Sequence, residues 1–235
     1  FLLALRGEGD KRPLTVIQNA WETAYPDEVD KRSFLSFIQK EMPPIFEKII
    51  KIDGRRDIGF SINEIVSLGN QIEFTNLSST TLQNWVKRDV KGFIGSPRFG
   101  KKYTVEQAAT LFIVEDLKAS LDFVSIRNVL ELIFNNPDDQ SDDIVNPIHF
   151  YDAYASIFGK IHHQTASPQN VEVPLNMQVE QQIHKEALAQ LETFTDLNDQ
   201  QKNMVLNVLV MASLTVLSAY YQTVTKKIYF GFKSN

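Results

Sequence analysis

A mainly α-helical fold is predicted by three observations. Apolar residues recur at three- and four-residue spacing along most of the 235-residue chain. Helix-start signals precede several of these runs, as Ser61-Ile62-Asn63-Glu64, Thr104-Val105-Glu106-Gln107 and Asn146-Pro147. In the first two, a hydroxyl accepts from a first-turn N–H while the Glu or Gln side chain reaches back; in the third, Asn caps and Pro is preset for the first turn. Strand signals are confined to one short stretch, residues 93–103.

Composition narrows the function classes. Hydrophobic residues make up 43% of the chain, enough for a core without covalent staples. There is no cysteine, which excludes disulfides and cysteine-held metals and leads us to expect a reducing, cytoplasmic setting. Phe1-Leu2-Leu3-Ala4-Leu5 is too short for the apolar region of a signal peptide. The net charge is −5, which argues against a uniformly basic surface. Yet residues 87–102 hold six Lys and Arg against Asp89 alone, and Asp138, Asp139, Asp142 and Asp143 make the following linker acidic. An acidic chain with one compact basic patch fits a protein whose nucleic-acid contact is confined to one part.

The elements follow in order. Residues 1–57 form an N-terminal helical segment: Val16, Ile17, Ala20 and Trp21 share one helical face, Phe34, Leu35 and Ile38 another, with Pro26 between them. Pro43-Pro44 ends the second helix and Asp53-Gly54-Arg55-Arg56-Asp57 reads as a turn. Residues 58–136 carry the organising unit. A short helix starts at the Ser61 cap and stops at Gly69-Asn70; a second starts at Ser78 or Ser79. The second buries Leu82, Trp85 and Val86 and leaves Thr80, Thr81, Gln83, Asn84, Lys87 and Arg88 outside. Those outer side chains bind phosphate or pair with bases, and Asn and Gln are suited to adenine in the major groove. Phe93-Ile94, Gly95-Ser96-Pro97 and Lys101-Lys102-Tyr103 then read as strand, turn and return strand, a small β-hairpin wing. Two capped helices follow, from Thr104 and from Asp122, with Asp122 read as a cap. Residues 146–235 form a C-terminal helical region. Residues 203–225 carry no charge, but Asn203, Asn207, Ser213, Thr215, Ser218 and Gln222 dilute the run, so a buried helix is expected in preference to a membrane span. His162-His163 point apart on a helix, and no metal or other cofactor is expected.

The residues 77–85 (Leu-Ser-Ser-Thr-Thr-Leu-Gln-Asn-Trp), 97–104 (Pro-Arg-Phe-Gly-Lys-Lys-Tyr-Thr), Asp116-Leu117-Lys118 and 126–130 (Ile-Arg-Asn-Val-Leu) resemble the DNA-binding domain of MerR-type transcription regulators. They resemble more closely still a Gram-positive bacterial family described only as a domain of unknown function, over residues 45–160. The resemblance implies a mainly α, MerR-like winged helix-turn-helix flanked by N- and C-terminal helices. It implies a second helix in the major groove, contacting DNA through Thr80, Thr81, Gln83, Asn84, Lys87 and Arg88, with Lys91 beside them. It implies a wing contacting phosphates through Arg98, Lys101, Lys102 and Tyr103. Gln83-Asn84-Trp85 stands where MerR proteins carry Arg-Tyr-Tyr, so Trp85 is expected to replace an aromatic core residue. The metal-binding cysteines of metal-sensing members are missing.

These readings lead us to expect a sequence-specific transcription regulator that binds double-stranded DNA and forms a homodimer through its C-terminal helices. The alternative is a protein-interaction module that keeps the fold without binding DNA. No Gly-rich phosphate loop, nucleophile motif or paired-carboxylate constellation is evident, so an enzyme is not expected.

Overall fold

A computed structural model describes residues 1–6, 12–26, 31–50, 58–72, 75–134, 143–164 and 174–233. The expected turn at 53–57 and most of the acidic linker and of the loop at 165–174 lie outside the described residues. Helices run in the order α1 Leu2–Arg6, α2 Pro13–Ala24, α3 Lys31–Lys40, α4 Pro44–Ile50, α5 Ile62–Gly69, α6 Ser79–Asn84, α7 Lys91–Ile94, α8 Val105–Leu117, α9 Phe123–Leu130, α10 Pro147–Gln164, α11 Leu175–Leu191 and α12 Asp199–Lys233. The fold is mainly helical, and no strand forms among the described residues.

The chain separates into two compact units. The first comprises Phe1–Leu82 and Pro97–Ala108. In it, Trp21 of α2 packs on Phe34 of α3 with ring centroids 5.5 Å apart. Ile45 and Ile49 of α4 are buried, and Lys48 of α4 pairs with Glu64 of α5. Burial alone would raise the Glu64 pKa, but the hydrogen bonds from Lys48 and from the Ser61 N–H outweigh it and hold the carboxyl below its ordinary value. Ser61 and Glu64 form the full capping box that fixes where α5 begins.

The second unit comprises Gln83–Ser96 and Ala109–Asn235. Its C-terminal part is a three-helix arrangement of α10, α11 and α12. Asn146 caps α10 by accepting from the Ile148 N–H at 2.8 Å, with Pro147 in the first turn. Asn198 and Gln201 exchange backbone–side-chain hydrogen bonds at 3.0 and 2.9 Å and set the start of α12. Ile157 and Ile161 of α10, Ile183 and Ala187 of α11, and Val205, Leu209 and Ala212 of α12 are buried. Lys160 of α10 bonds Glu186 of α11 at 2.8 Å. Tyr220 of α12 meets Phe158 and His162 of α10, at 5.8 and 4.8 Å between ring centroids.

The expected β-hairpin wing needs correcting. Phe93-Ile94 is not a strand but the end of α7. Both side chains are buried, and successive residues of a strand point to opposite faces, whereas a helical turn brings Val90, Phe93 and Ile94 inward together. Gly95 closes α7 at φ 70°, a conformation that glycine adopts without penalty. What remains of the return strand is a pair of isolated antiparallel bridges, Phe99 with Lys102 and Phe60 with Tyr103.

Candidate nucleic-acid interface

The residues expected to contact DNA are divided between the units. In the first unit, Thr80 and Thr81 lie on the opening turn of α6. Ser78 caps that turn, its hydroxyl accepting from the Thr81 N–H at 3.1 Å and lying 2.8 Å from the Thr81 hydroxyl. Thr80 is exposed and Thr81 half-buried. Asn70 holds the connection from α5: its amide donates to the Leu77 carbonyl at 3.0 Å and its carbonyl accepts from the Leu77 N–H at 2.7 Å. Ser79 donates to Asn63 of α5 at 2.7 Å. These three bonds fix the angle at which the second helix leaves the first. The sequence marked Asn70 only as a helix end; its role as a clamp depends on a partner seven residues away.

The basic residues Arg98, Lys101 and Lys102 lie in and around a tight turn of the same unit. Phe99 and Lys102 exchange backbone hydrogen bonds at 3.0 and 3.1 Å, and Gly100 takes φ 66° between them. Phe60 and Tyr103 exchange another pair, both 2.8 Å, anchoring the turn just before α5. Lys101 and Lys102 are exposed, Arg98 half-buried. Tyr103 is buried, and burial raises the pKa of its hydroxyl, so it serves this surface as an anchor beneath the turn.

Gly59 permits the close approach. A Cβ there would meet Lys102 Cβ at 2.9 Å and the Phe99 ring at 3.0 Å. Gly59→Ala is therefore expected to push the basic turn away from residues 58–60 and to destabilise the protein by about 1–3 kcal/mol. Urea denaturation measures the loss; a variant as stable as the parent would contradict this packing.

In the second unit, Gln83, Asn84, Lys87, Arg88 and Lys91 are all exposed. Trp85 and Val86 are buried, so the inner and outer faces expected of this helix are both present. After Asn84 the helix widens: the Val90 N–H bonds the Trp85 carbonyl at 2.9 Å, five residues back rather than four. Arg88 bonds its neighbour Asp89, Nε to Oδ1 at 2.8 Å and Nη2 to Oδ2 at 3.4 Å. This pairing, led by the hydrogen bond to Asp89, raises the already high pKa of the guanidinium.

Support comes from the elements behind Trp85. Its ring stands edge-on to Phe123, the first residue of α9, with centroids 5.7 Å apart. Lys118, just after α8, places Nζ 5.0 Å from the Trp85 ring centroid and 3.0 Å from Glu115 Oε2. Asp122 caps α9 through the Ser125 N–H at 2.7 Å. Two residues before Lys118, the Asp116 carboxyl accepts from the Tyr154 hydroxyl of α10 at 2.7 Å. Asp116 and Tyr154 are 38 positions apart. In the sequence, Asp116 stood out only within the Asp116-Leu117-Lys118 stretch that carries the family resemblance. Among the described residues, no group of three or more His, Asp and Glu could hold a metal ion.

The chain is a mainly helical protein that carries an exposed polar helix face in one unit and an exposed basic turn in the other. The chain belongs to the DUF1836 family, a domain of unknown function whose family model matches residues 57–154. It is also similar to the uncharacterized protein YkrK of Bacillus subtilis (strain 168), at 35% identity over 230 residues that cover 97% of this chain and 92% of that protein. No solved structure matches.

Proposed function

We propose that this protein is a sequence-specific transcription regulator that binds double-stranded DNA in the cytoplasm through a MerR-like winged helix-turn-helix. In this reading, the helix from Ser79 enters the major groove and presents Gln83 and Asn84 to base edges. Thr80, Thr81, Lys87, Arg88 and Lys91 meet the flanking phosphates. The turn bearing Arg98, Lys101 and Lys102 acts as the wing, and Tyr103 supports it from below. The C-terminal helices α10 to α12 form the homodimer, whose two-fold axis sets two half-sites.

One observation carries this reading. Gln83, Asn84, Lys87 and Arg88 are exposed side by side on a short helix held from behind by buried Leu82, Trp85 and Val86. Exposed amides next to exposed cations are what base readout and phosphate contact require, whereas a merely solvated helix has no need of that pairing. The Arg88–Asp89 pairing favours the alternative, a protein-interaction module, because it engages one of the cations.

The test is salt-dependent binding of fragmented genomic duplex. Lys101→Ala with Lys102→Ala is expected to weaken binding uniformly across sequences and to lower the slope of log affinity against log salt by about two. Gln83→Ala and Asn84→Ala are expected to alter sequence preference, at about 1–3 kcal/mol for the base pair contacted. Equal behaviour of both sets would remove the groove assignment. Failure to bind any duplex at low salt, with a protein partner co-purifying, would favour the interaction module.

A further inference from the structure

The last helix, α12, outruns its packing partners. It holds 35 residues, against 18 in α10 and 17 in α11. At about 1.5 Å per residue it is roughly 50 Å long, about twice the length of either. Its first half is committed to the three-helix core: Val205, Val208, Leu209, Ala212, Ser213, Thr215 and Leu217 are buried. Beyond Tyr220, which meets α10, the exposure rises sharply. Tyr221 is 49% exposed, Ile228 57%, Tyr229 53% and Phe230 61%. By length and composition alone, α12 is apolar enough to cross a membrane.

The charge on this end has one sign. No Asp or Glu follows Asp199, whereas Lys202, Lys226, Lys227 and Lys233 do. At about 100° per residue, Val224, Ile228, Tyr221 and Tyr229 fall within one arc of roughly 140°. Lys226 lies about 60° past one margin of that arc and Lys227 about 60° past the other. Phe230 lies beyond Lys226 and turns its ring edge-on to Tyr229, with centroids 5.5 Å apart. The arc also holds Thr225, whose hydroxyl donates to the Tyr221 carbonyl at 2.8 Å. A mostly apolar arc with two aromatic side chains and a lysine along each margin matches the boundary between lipid headgroups and acyl chains. There, rings keep one wet edge and ammonium groups reach phosphate.

We propose that the end of α12, from Tyr221 to Phe230, seats on an anionic lipid surface. Val224, Ile228, Tyr221 and Tyr229 enter the headgroup–acyl boundary, and Lys226 and Lys227 meet lipid phosphates. The helix lies on the bilayer and does not span it. Its first half is held in the protein core, and the remainder falls short of the roughly 20 apolar residues that a span requires. Charge selects this occupant: the end of α12 is basic and aromatic with no acidic residue, complementary to an anionic headgroup layer.

Co-sedimentation of the full chain with vesicles of phosphatidylcholine, alone or mixed with phosphatidylglycerol, tests this. Binding to the mixed vesicles and not to phosphatidylcholine alone is expected. The double variant K226E/K227E is expected to lower partition on the order of 10-fold, and I228D by a similar factor. K226Q/K227Q, which removes the two charges without reversing them, gives an intermediate loss and guards against a folding defect. Lys101→Ala with Lys102→Ala, which lies outside α12, is expected to partition onto the mixed vesicles like the parent chain, which keeps this proposal separate from the DNA reading. The proposal is overturned if the parent chain ignores anionic vesicles, or if none of the variants changes partition. It is also overturned if I228D alters the oligomeric mass without any vesicle binding, which makes a second copy the occupant. Resistance of the bound chain to alkaline carbonate extraction overturns it in favour of a spanning segment.

Discussion

Replacing Trp85 with alanine is expected to lower the unfolding free energy by about 3–5 kcal/mol, the range for truncating a large buried aromatic side chain. Trp85 is 3% exposed and is the residue on which the second half of the polar helix rests. The change removes the edge-on contact with Phe123 and leaves Lys118 without the ring face beneath its ammonium group. Lys118 keeps Glu115 as a partner, so no buried charge is stranded and the loss is dominated by the cavity. Trp85→Phe should recover a substantial part of the stability. Gln83→Ala, two residues earlier on the exposed face, should stay within about 0.5 kcal/mol of the parent. Urea titrations of the three variants separate these cases by their midpoints. A Trp85→Ala variant as stable as the Gln83→Ala one would show that Trp85 does not anchor the helix.

A second large effect is expected from Asp116. Its pKa is pushed up to about 7 from an ordinary 3.8. Burial is the main cause; the hydrogen bond from Tyr154 works against it, and the nearby Glu115 charge adds to it. The residue as a whole keeps some exposure, but its carboxyl is enclosed, and titration follows the carboxyl. Tyr151 also feels this charge, and the hydroxyls of both tyrosines are held well above their ordinary pKa, first by burial.

Between about pH 4 and pH 7 the folded protein therefore keeps a proton that the unfolded chain has lost. The stabilisation this gives is complete below pH 4, falls as the pH rises, and is gone above pH 7. At about 1.4 kcal/mol per pH unit, it amounts to at most about 4 kcal/mol. Asp116→Asn, which carries no titrating proton, should remove this term. Glu64, held low by Lys48, titrates in the opposite sense, and its contribution is lost as the pH falls. The difference between parent and variant, measured in urea at pH 5 and pH 7.5, isolates Asp116. Identical pH dependence in the two proteins would place the carboxyl in water.

The parts of this fold that were legible in the sequence are those decided within about four residues. The Ser61–Glu64 box, the Thr104–Gln107 pair, the Asp122 cap and the Asn146-Pro147 start each consist of a side chain and a nearby backbone N–H, and each sits where it was read. Burial of Leu82, Trp85 and Val86 followed from their spacing. Phe93-Ile94 was misread because a β-branched residue beside an aromatic one, before a Gly-Ser-Pro turn, reads locally as a strand. Packing decided otherwise: Phe93 meets Phe134, 41 positions along the chain, with ring centroids 6.1 Å apart. Tyr103 looked like a surface contact through its basic neighbours, and only the pairing with Phe60 accounts for its burial. The Asp116–Tyr154 bond joins two helices far apart in sequence, and no local pattern encodes it.

The widened turn that Val90 closes on Trp85 also bears on what a change of length at this point would do. A ring spanning five residues stores one more than an α-helical ring, about 100° of rotation. Deleting a single residue between Asn84 and Val90 would let the segment relax to regular helix without breaking it. Lys91 to Ile94 would then keep about the angle they now have relative to Gln83 and Asn84, because the residue removed is the one that the wide turn stored. A one-residue gap at this point is thus absorbed in place, whereas the same gap in regular helix would turn the residues that follow by about 100°.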